Sequence, residues 1–247
     1  PYTACYLDDF SHHFSSIGVI GMNEAGLNAS WLKAGMEAEQ TRQFAVAVLN
    51  HMREKLVEYQ LEYGTLYGLE ATPAESATFR FARLDRERFP ELKTAGREGD
   101  APYYTNSTKL PADYSISLDD ALGNQDAVQP LYTTGTVFHV YVEQELEEWR
   151  RARDVLHKII TEHDIPCCTL SPVYSICPSC GYLRGSQEVC PKCGAAADIT
   201  DRCMTGMTAR PRNLKTGLCS ISEHARTEGG NIYDTVRGGG KNRETVF

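Results

Sequence analysis

Three observations in the sequence predict an α/β fold with a small cysteine-rich appendage. Two long segments, 33–62 and 144–162, carry apolar residues at helical spacing. Two short segments, 66–69 and 136–142, have the apolar run or alternation of strands, and the first leads through a loop into a helix start. Four cysteines in the last third of the chain form two Cys-x-x-Cys pairs, each followed by glycine.

Composition excludes several classes. The 247 residues suit one large domain, or one domain plus an appendage. Hydrophobic residues at 41% and charged residues at 23% are ordinary globular usage, which argues against disorder. No stretch approaches the roughly 20 apolar residues of a membrane span. A net charge of −8 repels polyanions, so a nucleic-acid polymer is not the expected partner. The chain starts at Pro1 with no signal peptide, and it reads as a piece of a longer chain.

In chain order, residues 33–62 place Phe44, Val48, Met52 and Leu56 on one face and Glu54, Lys55 and Glu58 on the other. The run Leu66 to Leu69 then enters Glu70-Ala71-Thr72-Pro73-Ala74-Glu75-Ser76. Thr72 suits a helix cap, Pro73 the first helical position, and Glu75 the third position of a capping box. Free amides at such a helix start, approached past the small Ala71, Ala74 and Ser76, suit a phosphate. A well-capped helix that binds nothing satisfies the same local pattern. Residues 100–117, rich in Pro, Tyr, Asn, Ser and Thr, form a loop, and composition does not separate a functional loop from a merely solvated one.

Further on, Phe138, Val140 and Val142 alternate with His139 and Tyr141 as in a strand, with His139 a hydrogen-bonded wall residue. The helix over 144–162 turns Leu146, Trp149, Leu156 and Ile160 inward and solvates a run of Glu and Arg. Cys177, Cys180, Cys190 and Cys193 form two facing knuckles, with Gly181 and Gly194 taking the tight backbone turns. Four thiolates at this spacing suit Zn²⁺ in a closed structural site. Two disulfides or an iron–sulfur cluster are the alternatives. The unpaired Cys5, Cys167, Cys168, Cys203 and Cys219 indicate a reducing compartment, hence the cytoplasm. After Cys219 the chain is poor in apolar residues, with Gly229-Gly230 and Gly238-Gly239-Gly240, and reads as a flexible tail.

Several strings, in their order and spacing, resemble the C-terminal part of the anaerobic (class III) ribonucleoside-triphosphate reductases, a glycyl radical enzyme family. They are His12-His13-Phe14, Ile17 to Ala25, Glu70 to Ser76, Tyr103 to Thr108 with Leu110-Pro111, Tyr132 to His139, and the two knuckles. The resemblance covers about residues 10–217. It implies a ten-stranded α/β barrel that reduces ribonucleoside triphosphates to deoxyribonucleoside triphosphates. The implied division is 1–170 for the barrel part, 171–198 for the zinc ribbon, 199–218 for the radical loop and 219–247 for a tail of unassigned role.

By the same resemblance, Thr72, Ala74, Glu75 and Ser76 hold substrate phosphates, and the zinc knuckles support the radical loop. Gly206 in Arg202-Cys203-Met204-Thr205-Gly206-Met207 is the radical glycine. A side-chain-free α-carbon can flatten and share its unpaired electron with the flanking amides. Glu24 is a candidate carboxylate for proton management. The implied partners are a separate activating enzyme with an iron–sulfur cluster and S-adenosylmethionine, an upstream part of the reductase with the thiyl cysteine, and a second copy in a homodimer. Two rival readings are a zinc-ribbon binding module and an inactive relative, the latter suggested by Met207 where the family has an aromatic residue.

Overall fold

The structure is a computed structural model that describes residues 6, 9, 12–96, 101–111, 116–142, 149–172, 174–185 and 187–200, with backbone alone at 75, 76, 141, 142, 171, 172 and 198–200. Strands and helices alternate: β1 (Phe14–Gly18), α1 (Met22–Asn28), α2 (Glu39–Tyr63), β2 (Leu66–Glu70), α3 (Glu75–Arg88), α4 (Leu118–Gln125), β3 (Phe138–Val142), α5 (Trp149–Glu162) and β4 (Cys168–Pro172). β1 pairs with β2 and β3 with β4, both parallel, with Gly18 opposite Glu70. A parallel bridge between Glu70 and Gly135 sets the chain entering β3 beside the end of β2. Parallel strands separated by helices make this an α/β fold. Strands β5 (Tyr174–Cys177), β6 (Gly181–Arg184) and β7 (Asp198–Thr200) form a separate antiparallel sheet in the order β6-β5-β7.

The expected helix at 33–62 starts six residues later, at Glu39. The backbone of Met36 explains the delay: its N–H donates to Asn23 Oδ1 (2.9 Å) and its carbonyl accepts from Asn124 Nδ2 (2.8 Å). Those two bonds take the groups that a helix would need, and Lys33 sits at φ 55, outside helical space. The fully buried row of α2 is Thr41, Ala45, Leu49 and Leu56, while Phe44, Val48 and Met52 flank it, partly buried. The core-facing row is thus one residue away from the expected stripe except at Leu56. Gly26 lets α1 approach α2 closely, since a Cβ there would lie 2.5 Å from Thr41 Cγ2.

The face of α5 also differs from the sequence expectation. Val155 and Ile159 are its buried residues, packed with Phe138, Val140, Ala121, Leu122 and Ile165, while Trp149 and Ile160 are 65% and 69% exposed. An ion pair and a hydrogen bond to the α4 region fix this rotation, Lys158 to Asp119 at 2.8 Å and His163 Nδ1 to Asp126 Oδ2 at 2.9 Å. The Arg150 and Arg153 guanidinium groups lie 5.2 and 5.5 Å from the Trp149 ring. A stripe counted on apolar residues alone misses those restraints. Leu146 and the rest of 143–148 lie outside the described residues.

His139 is the wall residue expected from the strand pattern. It is buried on β3, with Nδ1 2.9 Å from Thr169 Oγ1 on β4. Burial, aided by the Lys109 charge, lowers its pKa from 6.5 to about 4. Below pH 6.5 the unfolded chain gains this proton while the folded chain stays neutral, so stability falls with pH down to about 4 and then levels off. From pH 7 to pH 5, wild type should lose about 2 kcal/mol more unfolding free energy than His139→Gln, measured by denaturant titration. An equal loss in both proteins would contradict the assignment.

Candidate active site

The residues that matter converge at the C-terminal ends of β1 and β2, the end of a parallel sheet where α/β proteins place ligands. The two strand ends open into two turns, Val19–Gly21 before α1 and Ala71–Ala74 before α3. Gly18 lets them come together. A Cβ there would sit 1.7 Å from Thr72 Oγ1 and 2.9 Å from the Glu70 carbonyl, so the Thr72 hydroxyl occupies the space above a strand that must end in glycine.

A third segment lies across both turns. Gly21 N–H donates to the Thr105 carbonyl (2.8 Å) and Met22 N–H to the Ser107 carbonyl (3.2 Å). Ile20 bridges Asn106, and Ala74 N–H donates to Asn106 Oδ1 (3.1 Å). Tyr103 and Thr105 to Thr108 are all buried, so this part of the 100–117 loop belongs to the interior. Its composition carries a signal for that: Tyr103 to Thr108 offers many hydrogen-bonding groups and no charge, as a segment must when the protein supplies the partners.

Glu24 anchors the segment. It is 2% exposed, its Oε2 accepts from Thr105 N–H and Thr105 Oγ1, both at 2.9 Å, and its Oε1 accepts from Asn23 Nδ2 at 2.9 Å. Asn23 in turn holds Met36, Met36 holds Asn124, and Gln125 Nε2 donates to Asn124 Oδ1 (2.8 Å) and to the Thr108 carbonyl (3.0 Å). Gln129 Nε2 reaches Gln125 Oε1 at 2.7 Å, and Thr136 Oγ1 donates to Gln129 Oε1. Thr108 Oγ1 pairs with Tyr132 Oη at 2.9 Å. A continuous buried chain of hydrogen bonds thus runs from Thr136 to Thr105. None of these partners except Glu24 stood out as a site residue in the sequence.

The expected cap at Thr72 is not formed. The N-cap of α3 is Ala74, without a side-chain cap, and Glu75 is the first helical residue instead of the third after a cap. Pro73 therefore precedes the helix. Its orphan end is served from outside, by Asn106 on the Ala74 amide. The helix starts two residues later than the capping pattern predicts, and Thr72 Oγ1 instead fills the space over Gly18. Helix α3 still presents its first-turn amides at this site, so the turn stays able to receive an anion. Of the other expected site residues, Gly206 lies outside the described residues, as do Cys5, Cys203 and Cys219. The side chains of Glu75 and Ser76 are likewise outside the description.

The four knuckle cysteines do come together. Their Sγ atoms lie within 4.8 Å of one another, Cys177 and Cys193 at 3.5 Å, and all four are free. Zn–S bonds of about 2.3 Å in a tetrahedron put sulfurs about 3.8 Å apart, so the set fits one ion. Gly181 and Gly194 sit at φ 76 and 72, the left-handed turn that the knuckle requires, and Cys180 N–H donates to Cys177 Sγ at 3.4 Å. The four cysteines could hold a metal such as zinc in a closed structural site. Among the described residues no helix is long and apolar enough to cross a membrane.

A family model described as anaerobic ribonucleoside-triphosphate reductase matches residues 2–209. The enzyme of that name from Haemophilus influenzae is 32% identical over 123 residues, 49% of this chain and 17% of that protein. The one from Enterobacteria phage T4 is 24% identical over 125 residues, 51% of this chain and 18% of that protein. Among solved structures, the anaerobic ribonucleotide reductase from Thermotoga maritima with dATP bound in the specificity site aligns with a TM-score of 0.62 and 22% identity. The alignment covers 82% of this chain and 33% of that one, and it shows a shared fold. The matched stretches are under a fifth of the relatives' length. The chain belongs to the anaerobic, class III, ribonucleoside-triphosphate reductase family, as a C-terminal portion.

Proposed function

We propose that this chain is the C-terminal catalytic part of an enzyme that reduces ribonucleoside triphosphates to deoxyribonucleoside triphosphates by radical chemistry, as a precursor supply for DNA. The observation that carries the reading is the convergence of the Thr72–Ser76 turn, Glu24 and Asn106 at the C-terminal ends of two parallel strands. In this reading residues 1–170 are part of a ten-stranded barrel, 171–198 a zinc ribbon, 199–218 the radical loop and 219–247 a tail. The Thr72–Ser76 turn binds the triphosphate through first-turn amides. Glu24 holds the neighbouring Thr105 turn in place and is the candidate for proton management.

Gly206 stores the unpaired electron at its α-carbon. It takes a hydrogen atom from the thiol of a cysteine in the upstream part of the reductase, and the resulting thiyl takes the 3′ hydrogen of the ribose. Formate or a thiol system supplies the reducing electrons. An activating enzyme with an iron–sulfur cluster and S-adenosylmethionine makes the glycyl radical. A zinc ion on Cys177, Cys180, Cys190 and Cys193 does no chemistry on substrate and fixes the base of the radical loop. The working assembly is a homodimer in the cytoplasm. The test is anaerobic electron paramagnetic resonance of the reconstituted reductase after activation. A glycyl doublet in the parent that is lost in Gly206→Ala is the expected result; no doublet from a folded, zinc-loaded parent would instead identify an inactive relative.

A further inference from the structure

The small sheet of the cysteine ribbon has two unlike faces. Ser175, Cys177 and Leu183 alternate onto the inner one, where all three are buried on the side of the cysteine cluster. On the outer one, Tyr174 and Ile176 of β5 stand opposite Arg184 and Tyr182 of β6. The Tyr174 and Tyr182 rings stack with centroids 5.5 Å apart and planes at 28°, and Tyr182 is 58% exposed. A metal site accounts for the inner face and leaves this aromatic pair without a role. The third strand shows where the chain goes next: Thr200, the last residue of β7, is the register partner of Tyr174. Residue 201 therefore begins one strand away from the outer pair, and Arg202, Met204, Met207 and Arg210 follow. Guanidinium and thioether groups are the ones that aromatic faces attract.

We propose that the segment 201–210 turns back over the outer face of this sheet and seats on Tyr174 and Tyr182. An extended residue advances about 3.3 Å, so the segment is long enough to turn and cross the pair. A second copy of the chain is the poorer occupant. Two tyrosines and an isoleucine fall far short of the roughly 800 Å² per partner of a stable interface, whereas a segment already tethered at Thr200 has only a short loop to close. The seat itself stands apart from the radical chemistry, and its consequence for Gly206 rests on that reading. There it gives the loop a fixed platform at its base, so that the ribbon acts through its outer face as well as through its metal.

The test is limited trypsin digestion of the whole zinc-loaded reductase polypeptide carrying this chain, with cleavage after Arg202 followed by mass spectrometry. A seated segment cannot take the extended form that a protease needs until it lifts off. Tyr174→Ala combined with Tyr182→Ala should therefore speed that cleavage by about tenfold or more, with zinc content and cleavage after Arg226 unchanged. Equal rates after Arg202 in parent and variant overturn the proposal. Should the variant lose its zinc, a photoreactive p-benzoylphenylalanine placed at Tyr182 alone decides. A cross-link to 201–210 of the same chain supports the seat; cross-links only elsewhere, only to a second copy, or none at all overturn it. The glycyl doublet is read separately. A parent with the seat and no doublet loses the radical reading and keeps this one, and a doublet without the seat does the reverse.

Discussion

Replacing Glu24 with Ala is expected to remove about 3–5 kcal/mol of local stability from the active-site segment, with the largest effect at Thr105. The carboxyl group serves three donors: Thr105 N–H, Thr105 Oγ1 and Asn23 Nδ2. All are buried, and truncation leaves each facing a cavity with no acceptor. Asn23 cannot turn to help, because its Oδ1 already accepts from Met36 N–H. Glu24→Gln is the milder change. One of its ends still accepts, the other brings a donor against a donor, and the loss should be about 1–3 kcal/mol. Native-state hydrogen exchange at the Thr105 amide measures this directly. Protection should fall in the order wild type, Gln, Ala, whereas amides in the middle of α5, packed in a different cluster, should keep theirs. Unchanged protection at Thr105 in Glu24→Ala would show that the carboxyl does not hold the segment.

That network also marks how far the sequence could be read. Helices α2 and α5, the start of α3, the strands at 66–70 and 138–142 and the cysteine site follow from patterns whose partners are near in sequence. The errors have a different origin. Met36 is pulled out of a helix by Asn23 and Asn124, 13 and 88 residues away, and propensity contains no term for either. The rotation of α5 is set by Asp119 and Asp126 in another element. Thr72 looked like a cap because the capping pattern is local, but the space over Gly18 claims its hydroxyl. Glu24 was singled out in the sequence for proton chemistry, while its partner Thr105 lies 81 residues on. Composition therefore does not separate a functional from a solvated loop at Tyr103–Thr108, although its lack of charge is a sign that it is interior.

Metal removal is the other large effect. The cluster around the knuckles has four buried members, Cys177, Leu183, Cys190 and Ala197, and two of these are themselves ligands. Without an ion, a three-stranded sheet with so little apolar surface cannot offset the entropy of ordering its chain. Zinc ligation in small units of this kind contributes about 10–16 kcal/mol at neutral pH, far more than the remaining contacts. One zinc per chain is the expected stoichiometry by elemental analysis. Chelation, or Cys190→Ser, should abolish hydrogen-exchange protection over β5 and β6 while α2 and β2 stay protected. Persistent protection in β5 and β6 after zinc loss would mean that the ribbon folds on its own. The same experiment bears on the radical. If the ribbon positions the 199–218 loop, chelated protein should fail to form the glycyl doublet although Gly206 is intact. Gly206→Ala should fail with zinc in place and the ribbon still protected. The two failures then separate a misplaced loop from a missing radical carrier.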